Sequence, residues 1–262
     1  MSDASKNRNN AKGSLHYIKN SLMNPDRIKL VAFDLDGTLT QHKSPLSDEM
    51  RSVLDKLGEK RQLLMVGAGS CLRIFKQMGG YPIDILGNYG LQYAKYNPDG
   101  GDLCFVYDKR FPCDRESVSK RALEFREKYG FTDYVGDSVE FHDSGVVTIA
   151  LLGTKAELAD KLAFDPDRSK RRAVYEEVKV LFPDYKVFVG GSSSYDMAPD
   201  PYDKAYALAE LCRERGLAHD EVLYVGDDYG PGGNDESVYK SDFNFLPIDD
   251  YRTTPSQLSF LL

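Results

Sequence analysis

The chain has 262 residues, 41% of them hydrophobic and 29% charged, a composition typical of a globular protein with a core large enough for one or two domains. The formal net charge of −7 at pH 7 argues against nucleic acid and anionic membranes as partners, because both attract basic surfaces. The sequence has no signal-peptide core and no membrane-spanning apolar run, and its four cysteines lack a zinc-binding spacing. We therefore expect a cytoplasmic protein with free thiols.

The N-terminal half begins with a polar segment and continues with alternating strands and helices. Residues 1–27 are predicted to form a partly disordered tail with a short helix over Ser14–Met23. Buried strands are then predicted near residues 28–33, 63–66 and 83–86, with helices after Ser47 and after the Gly67–Ser70 turn. This alternation is typical of an α/β fold with a parallel sheet.

The pattern changes after Gln92. The sequence predicts a hairpin around residues 97–101, a helix over Arg115–Tyr129 and paired strands around residues 142–145. Two helices (156–162 and 169–182) and a strand (185–189) follow, and the strand–helix pattern resumes with a helix over 208–215 and strands at 222–225 and 243–246. We expect an α/β core of residues 28–92 and 190–262, with an α+β domain of residues 93–189 inserted into it.

Two carboxylates, Asp34 and Asp36, follow the first buried strand. Side chains alternate between the two faces of a strand, so both carboxylates point the same way at its carboxyl end. Open α/β sheets bind their ligands at this edge, and two adjacent negative charges need a cation or a shared proton. The segment therefore predicts a metal site.

Three ordered elements give the chain a resemblance to the haloacid dehalogenase superfamily: Asp34–Thr38, Lys204, and the glycine-rich loop over residues 226–235. The resemblance implies a Rossmann-like doubly wound core with an inserted C2-type cap. Within the superfamily, the segments 66–70, 190–196 and 231–235 resemble those of eukaryotic-type phosphomannomutases.

The resemblance implies a role for each charged residue of these elements. Asp34 would be the nucleophile that forms an aspartyl-phosphate, and Asp36 would act as general acid and then general base. Mg²⁺ would be bound by Asp34, the backbone carbonyl of Asp36 and Asp227, with Asp235 as a further ligand. Lys204 would balance the remaining charge of the phosphate.

The substrate contacts implied by the resemblance come from two segments. Gly69 and Ser70 open a helix after the second strand, where free backbone N–H groups suit an anion. Ser194 and Asp196 would line the sugar side of the cleft. The expected substrate is therefore a small phosphorylated metabolite, in the first place a sugar phosphate.

The predicted cap departs from the mutase pattern. Val135, His142 and a position near Thr154 stand where the mutases carry arginines. A mutase must hold a second phosphate away from the nucleophile, a task suited to bidentate arginine. His142 is a candidate substrate contact, and the other candidate cations are Lys43, Lys155 and the basic run over 168–172, which is also typical of a solvated helix face.

Three functions remain open from the sequence. The first is a Mg²⁺-dependent phosphatase, because the arginine clamp of the mutases is missing. The second is a phosphohexomutase that interconverts hexose 1- and 6-phosphates, and the resemblance to such mutases also leaves room for a homodimer. The third is a binding protein without activity, against which the intact Asp34, Asp36, Lys204 and Asp227 argue.

Overall fold

A computed structural model describes residues 23–262 and contains two β-sheets. Of the predicted N-terminal tail and its helix over Ser14–Met23, residues 1–22 lie outside the described residues. The strands are β1 (Leu30–Phe33), β2 (Gln62–Val66), β3 (Asp84–Gly87), β4 (Gln92–Asn97), β5 (Asp102–Asp108), β6 (Val139–Phe141), β7 (Val147–Ala150), β8 (Tyr185–Phe188), β9 (Ser194–Pro199), β10 (Val222–Gly226) and β11 (Asn244–Pro247).

Nine α-helices connect and cover these strands in the described part of the chain. They are α1 (Asp48–Gly58), α2 (Cys71–Gln77), α3 (Arg115–Tyr129), α4 (Leu158–Phe164), α5 (Ser169–Ala173), α6 (Tyr175–Leu181), α7 (Lys204–Arg215), α8 (Glu236–Lys240) and α9 (Thr254–Gln257). Short 3-10 turns cover Pro25–Arg27, Asn88–Gly90, His219–Glu221, Tyr251–Thr253 and Ser259–Leu261. In residues 23–262 no helix combines the length and the apolarity needed to cross a bilayer.

The large sheet has the strand order β11-β10-β1-β2-β3-β4-β5. The first five strands in this order are parallel, and the β4–β5 hairpin adds two antiparallel strands at one edge. The central strand β1 is buried along its whole length, because apolar clusters cover both faces of the sheet. The predicted α/β fold with a parallel sheet is therefore confirmed, and the β1 and β10 carboxyl ends meet at one edge.

The small sheet is antiparallel and has the order β6-β7-β9-β8. Helices α3 and α6 pack on one of its faces through Val118, Phe125 and Val178, together with Phe182 directly after α6. We call this sheet, together with helices α3–α6, the cap. The predicted α+β insert is thus present as a second, separate sheet.

The two sheets divide the chain at other positions than the predicted boundaries after residues 92 and 189. The β4–β5 hairpin, expected in the insert, extends the large sheet because Tyr93 and Ala94 are buried against its core. Strand β9, which the sequence did not predict, pairs with β7 and β8 in the small sheet although it lies in the expected core segment.

Two predicted helices have different limits in the structure. The helix expected over 169–182 is divided into α5 and α6 at Val174, which has non-helical backbone angles. Helix α7 begins four residues earlier than predicted, because the Asp203 side chain accepts a hydrogen bond from the Tyr206 N–H and caps the helix. Lys204 is therefore the first helical residue.

The cap contains a buried arginine, Arg126 of α3, whose hydrogen-bond partners are backbone carbonyls rather than a carboxylate. Its guanidinium group donates to the carbonyls of Phe131 at 2.7 Å and Leu151 at 2.9 Å, and also to that of Ala150. A fourth contact, 3.4 Å long, reaches the Ser138 carbonyl. The side chain is fully buried, so it satisfies backbone acceptors that water does not reach.

We predict that Arg126→Met destabilises the protein by about 3 kcal/mol, because buried carbonyls lose charge-assisted hydrogen bonds. Chemical denaturation followed by circular dichroism measures the change. Lys120→Met is the matched control, since Lys120 is an exposed residue of the same helix. Equal stability of the two variants would contradict the role given to Arg126.

Candidate active site

Three carboxylates meet at the carboxyl edge of the large sheet. Asp34 directly follows β1 and Asp227 directly follows β10, and these strands are parallel neighbours. Asp235 reaches the same place from the loop before α8, and one oxygen from each carboxylate lies within 4.8 Å of the others. The sheet topology therefore gathers the acidic residues that the sequence placed far apart.

Lys204 is enclosed by this acidic cluster. Its Nζ donates to Oδ1 of Asp34 at 2.8 Å and to Oδ1 of Asp235 at 2.7 Å, and a third bond of 2.7 Å reaches Oδ1 of Asn234. The side chain is 0% exposed. Burial lowers the pKa of Lys204, but the two neighbouring carboxylates outweigh burial and the net shift is upward, so the side chain stays a cation.

One lysine does not balance three carboxylates, and the pKa values of Asp34 and Asp227 reflect this shortage of positive charge. Burial raises the pKa of Asp34 to about 6 in spite of the contact with Lys204. Burial and the proximity of Asp34 and Asp235 raise the pKa of Asp227 to about 8. The Thr38 hydroxyl donates to Asp227 Oδ1 at 2.8 Å. The cluster thus needs either protons or a further cation.

The residues present fit a small hard cation such as Mg²⁺, which prefers oxygen ligands. Gly37 leaves room beside Asp227, since a Cβ at this position would lie 2.5 Å from Oδ2 of that carboxylate. Asp235 is less free, because its carboxylate accepts from Lys204, from the Tyr224 hydroxyl at 2.5 Å and from the Asp228 N–H at 3.0 Å. Asp34 and Asp227 are therefore the more available side-chain ligands, and Asp235 holds Lys204 and the loop.

Asp36 has a different environment from the acidic cluster. Its carboxylate accepts 2.7 Å hydrogen bonds from the Lys43 N–H and from Nε2 of Gln77, and Arg73 lies 3.5 Å away. Burial raises its pKa, but the Gln77 and Lys43 hydrogen bonds outweigh burial and lower it overall. Asp36 and Asp34 line the same cleft with pKa values shifted in opposite directions.

The acidic cluster opens into a cleft of about 640 Å³ between the large sheet and the cap. Gly69 and Ser70 line it on the core side, and the Ser70 hydroxyl caps α2 by accepting from the Arg73 N–H at 3.3 Å. The predicted catalytic and phosphate-binding residues that share this cleft are Asp34, Asp36, Gly69, Ser70 and Asp227.

The cap contributes a hydrogen-bonded chain to the opposite wall. Nε2 of His142 lies 3.4 Å from the Thr148 hydroxyl, which donates to Asp196 Oδ1 at 2.9 Å. Asp196 also accepts from the Tyr89 hydroxyl at 3.4 Å, and burial raises the pKa of this carboxyl group. The predicted substrate contacts His142 and Asp196 are thus in the cleft.

Ser194 differs from the other predicted substrate contacts. Its hydroxyl donates to the Gly190 carbonyl at 3.1 Å, and the residue is absent from the described lining of the cleft. Ser194 and Asp196 are two residues apart on β9 and therefore share a face of the strand, but the Ser194 hydroxyl is bonded to the turn that precedes β9. Of the other positions discussed above, Val135, Thr154 and Lys155 also do not line it in the described structure.

Of the three arginines that line the cleft in the described structure, Arg73 and Arg110 were not singled out from the sequence, and Arg168 was named there only as part of the basic run over 168–172. Arg110 follows β5, and Arg168 precedes α5 with its backbone in the left-handed region at φ 60°. Arg168 belongs to the basic run that is also typical of a solvated face, but it forms an ion pair with Asp228. The helical pattern could not show this contact, because the residue lies before the helix begins.

By sequence, the chain is similar to phosphomannomutases. A family model described as eukaryotic phosphomannomutase matches residues 120–246. A phosphomannomutase of Saccharomyces cerevisiae is 27% identical over 222 residues, which cover 80% of this chain and 84% of the relative. Human phosphomannomutase 1 is 23% identical over 225 residues, which cover 80% and 82% of the two chains.

Solved structures of other enzymes share the architecture. An IMP-bound, N-terminally truncated IMP-nucleotidase of Plasmodium falciparum superposes with a TM-score of 0.59 at 16% identity, covering 89% of this chain and 68% of that one. A phosphatase of the haloalkanoate enzyme superfamily from Bacteroides thetaiotaomicron has a TM-score of 0.57 at 15% identity, covering 89% and 95%. The chain therefore has the haloacid dehalogenase fold, and its predicted resemblance to eukaryotic phosphomannomutases is confirmed.

Proposed function

We propose that the protein is a Mg²⁺-dependent phosphatase that hydrolyses a small phosphorylated metabolite, in the first place a sugar phosphate, through an aspartyl-phosphate on Asp34. The observation that carries this proposal is the buried Lys204, held between Asp235 and Asp34, the latter a residue that lines the cleft. A fixed cation beside a carboxylate nucleophile lowers the electrostatic cost of bringing a phosphate to it.

The chain's own residues divide the work of two successive steps. Asp34 attacks phosphorus as the bond to the substrate's ester oxygen breaks, Asp36 in its protonated form gives its proton to that leaving oxygen, and Lys204 stabilises charge on the phosphate oxygens. Asp36 then activates water against the aspartyl-phosphate, a task supported by hydrogen bonds that keep its carboxylate ionised. Mg²⁺ held by Asp34 and Asp227 would screen the repulsion between carboxylate and phosphate.

A phosphohexomutase is the second candidate function. The observation that favours it is the presence of Arg110 and Arg168 in the cleft, because guanidinium groups suit a second phosphate. The similarity to phosphomannomutases supports the same possibility. Phosphatase and mutase share the aspartyl-phosphate and differ in the group that accepts the phosphoryl from it.

Product analysis distinguishes the two functions. The protein is incubated with Mg²⁺ and mannose or glucose 1- and 6-phosphates, with and without the corresponding hexose bisphosphate. We expect release of inorganic phosphate, measured by ³¹P NMR. Interconversion of the 1- and 6-phosphates without net release would instead establish the mutase. If none of these sugar phosphates gives either product, the sugar-phosphate assignment is overturned.

We also retain two expectations as proposals. The protein is cytoplasmic, and it acts on a small molecule without a nucleic-acid or membrane partner. A homodimer is a further proposal, which rests on the resemblance to the mutases.

We predict that Asp34→Asn lowers kcat by about 10³-fold or more, because the amide is a poor nucleophile. The fold should be retained, since the two side chains have almost the same shape. Steady-state kinetics and circular dichroism measure the two effects, and Asp133→Asn, at an exposed position, is the control. Activity of the Asp34 variant near that of the control would mean that another residue is the nucleophile.

We further predict that the metal-free protein loses stability as pH rises from about 4 to about 8. The pKa of Asp227 is raised from 3.8 to about 8, so in this window the folded state retains a proton that the unfolded state has lost. Stability therefore falls with pH by at most about 1.4 kcal/mol per pH unit from this group. Thermal unfolding across this range measures the slope, and Mg²⁺ should raise the Tm more at pH 8 than at pH 5.

The Asp227→Asn variant tests the origin of this slope. The amide does not titrate, so the slope should flatten and the response to Mg²⁺ should weaken. If the variant keeps both the wild-type slope and the wild-type Mg²⁺ response, neither effect comes from Asp227.

A further inference from the structure

Helix α5 of the cap contacts the loop that carries the acidic cluster. Arg168, at its N-cap, forms an ion pair with Asp228 of that loop. Nη2 of Arg172 lies 3.6 Å from the same carboxylate, and its Nε donates to the Pro231 carbonyl at 3.1 Å. A single carboxylate of the core is therefore shared by two guanidinium groups of the cap.

The carboxylate that they share is almost completely buried. The Asp228 side chain is 6% exposed, and the side chains of Arg168 and Arg172 are 31% and 32% exposed. A buried carboxylate without its cation is costly, and here it would also lie next in the chain to Asp227, a further carboxyl group. The two arginines thus neutralise a charge that the core alone leaves unbalanced.

Asp228 is connected to the reaction centre through its own backbone and side chain. Its N–H donates to Oδ2 of Asp235 at 3.0 Å, and its Oδ2 accepts from the Asn234 N–H at 3.3 Å. Asn234 and Asp235 both contact Lys204. The contact between Arg168 and Asp228 is therefore connected, through this loop, to the residues that position Lys204.

The third arginine of α5 anchors the helix at a different point. Arg171 is fully buried, pairs with Asp165 at 2.8 Å and donates to the carbonyls of Gly190 at 2.6 Å and Ser194 at 3.0 Å. Asp165 lies shortly before α5 in the chain, and Gly190 and Ser194 belong to the segment that leads into β9 and to its first residue. Helix α5 is thus fixed within the cap, while Arg168 and Arg172 reach across to the core.

The backbone of Arg168 supports a specific role for this contact. A residue with a side chain in the left-handed region is strained and persists where its surroundings favour it. Arg168 combines this strained backbone with the ion pair to Asp228 and also lines the cleft.

We propose that Arg168 and Arg172 form a latch that fastens the cap to the 227–235 loop through Asp228. Arg168 is then a positioning residue, which acts on the reaction centre through Asp228. Release of this latch moves the cap away from the core and opens the cleft. The proposal does not depend on which phosphoryl acceptor the enzyme uses, because the latch is a contact between protein groups.

Distances between spin labels test the latch in the full chain. One label is attached to Cys104, which is exposed on β5 of the large sheet, and the other to a cysteine introduced at the exposed Glu124 of α3 in the cap. Cys113 is replaced by serine, and the buried Cys71 and Cys212 remain. Double electron–electron resonance then reports the distance between core and cap.

We expect Arg168→Glu to produce a second population at a longer distance, because two carboxylates then face each other. The charge-swapped variant Arg168→Glu/Asp228→Arg should restore the wild-type distribution. Lys170→Glu is the matched control, since it makes the same charge change at an exposed position of α5 and should leave the distance unchanged. Circular dichroism verifies that each variant is folded.

A wild-type distance distribution in folded Arg168→Glu would overturn the proposal. So would a longer distance that the charge swap fails to reverse, or one that Lys170→Glu reproduces. A measurement without any substitution at the latch gives an independent check: salt screens partly exposed ion pairs, so high salt should populate the longer distance in the otherwise wild-type labelled chain. An unchanged distribution at high salt would also count against the latch.

Discussion

The buried ammonium group of Lys204 is the interaction on which the reaction centre depends. It contacts Asp34, Asn234 and Asp235, which reach it from two distant parts of the sequence. Buried carboxylates are tolerated only when cations and hydrogen bonds compensate for the lost hydration. Lys204 provides this compensation for two of them, and the remaining deficit is concentrated at Asp227, where the residues fit a metal ion.

The positions of Asp34 and Asp227 could be predicted from the sequence, because each follows a short run of apolar residues that is typical of a buried strand. A buried strand that ends in Asp34, and another that ends just before Asp227, place both carboxylates at the carboxyl edge of a parallel sheet. Asp203 is a strong helix cap, so the start of α7 at Lys204 also has a local cause. The period of strands was sufficient for the two aspartates, whereas Lys204 was singled out by the resemblance and its helix was predicted four residues too late.

The cap could not be predicted to the same depth. Strand β9 has the sequence Ser-Tyr-Asp-Met-Ala-Pro, whose polar and proline residues give a weak strand signal, and it forms only because β7 and β8 flank it. The partner of Arg168 lies 60 residues away in the chain, and the residue adopts a left-handed backbone that no helical period describes. Tertiary contacts, not local propensity, decide both features.

In the proposed reaction the phosphoryl acceptor is selected on the cap side, and Asp34, Lys204 and Asp227 act on the phosphate whichever acceptor follows. Arg168 lines the cleft but is paired with a buried Asp228, so binding a second phosphate would require it to give up this partner or to share its charge between two anions. An arginine committed in this way is a weaker clamp than a free one. A mutase must hold that second phosphate through a reorientation of its intermediate, whereas a phosphatase needs no such clamp, and the pairing of Arg168 with Asp228 is therefore an argument for the proposed hydrolysis.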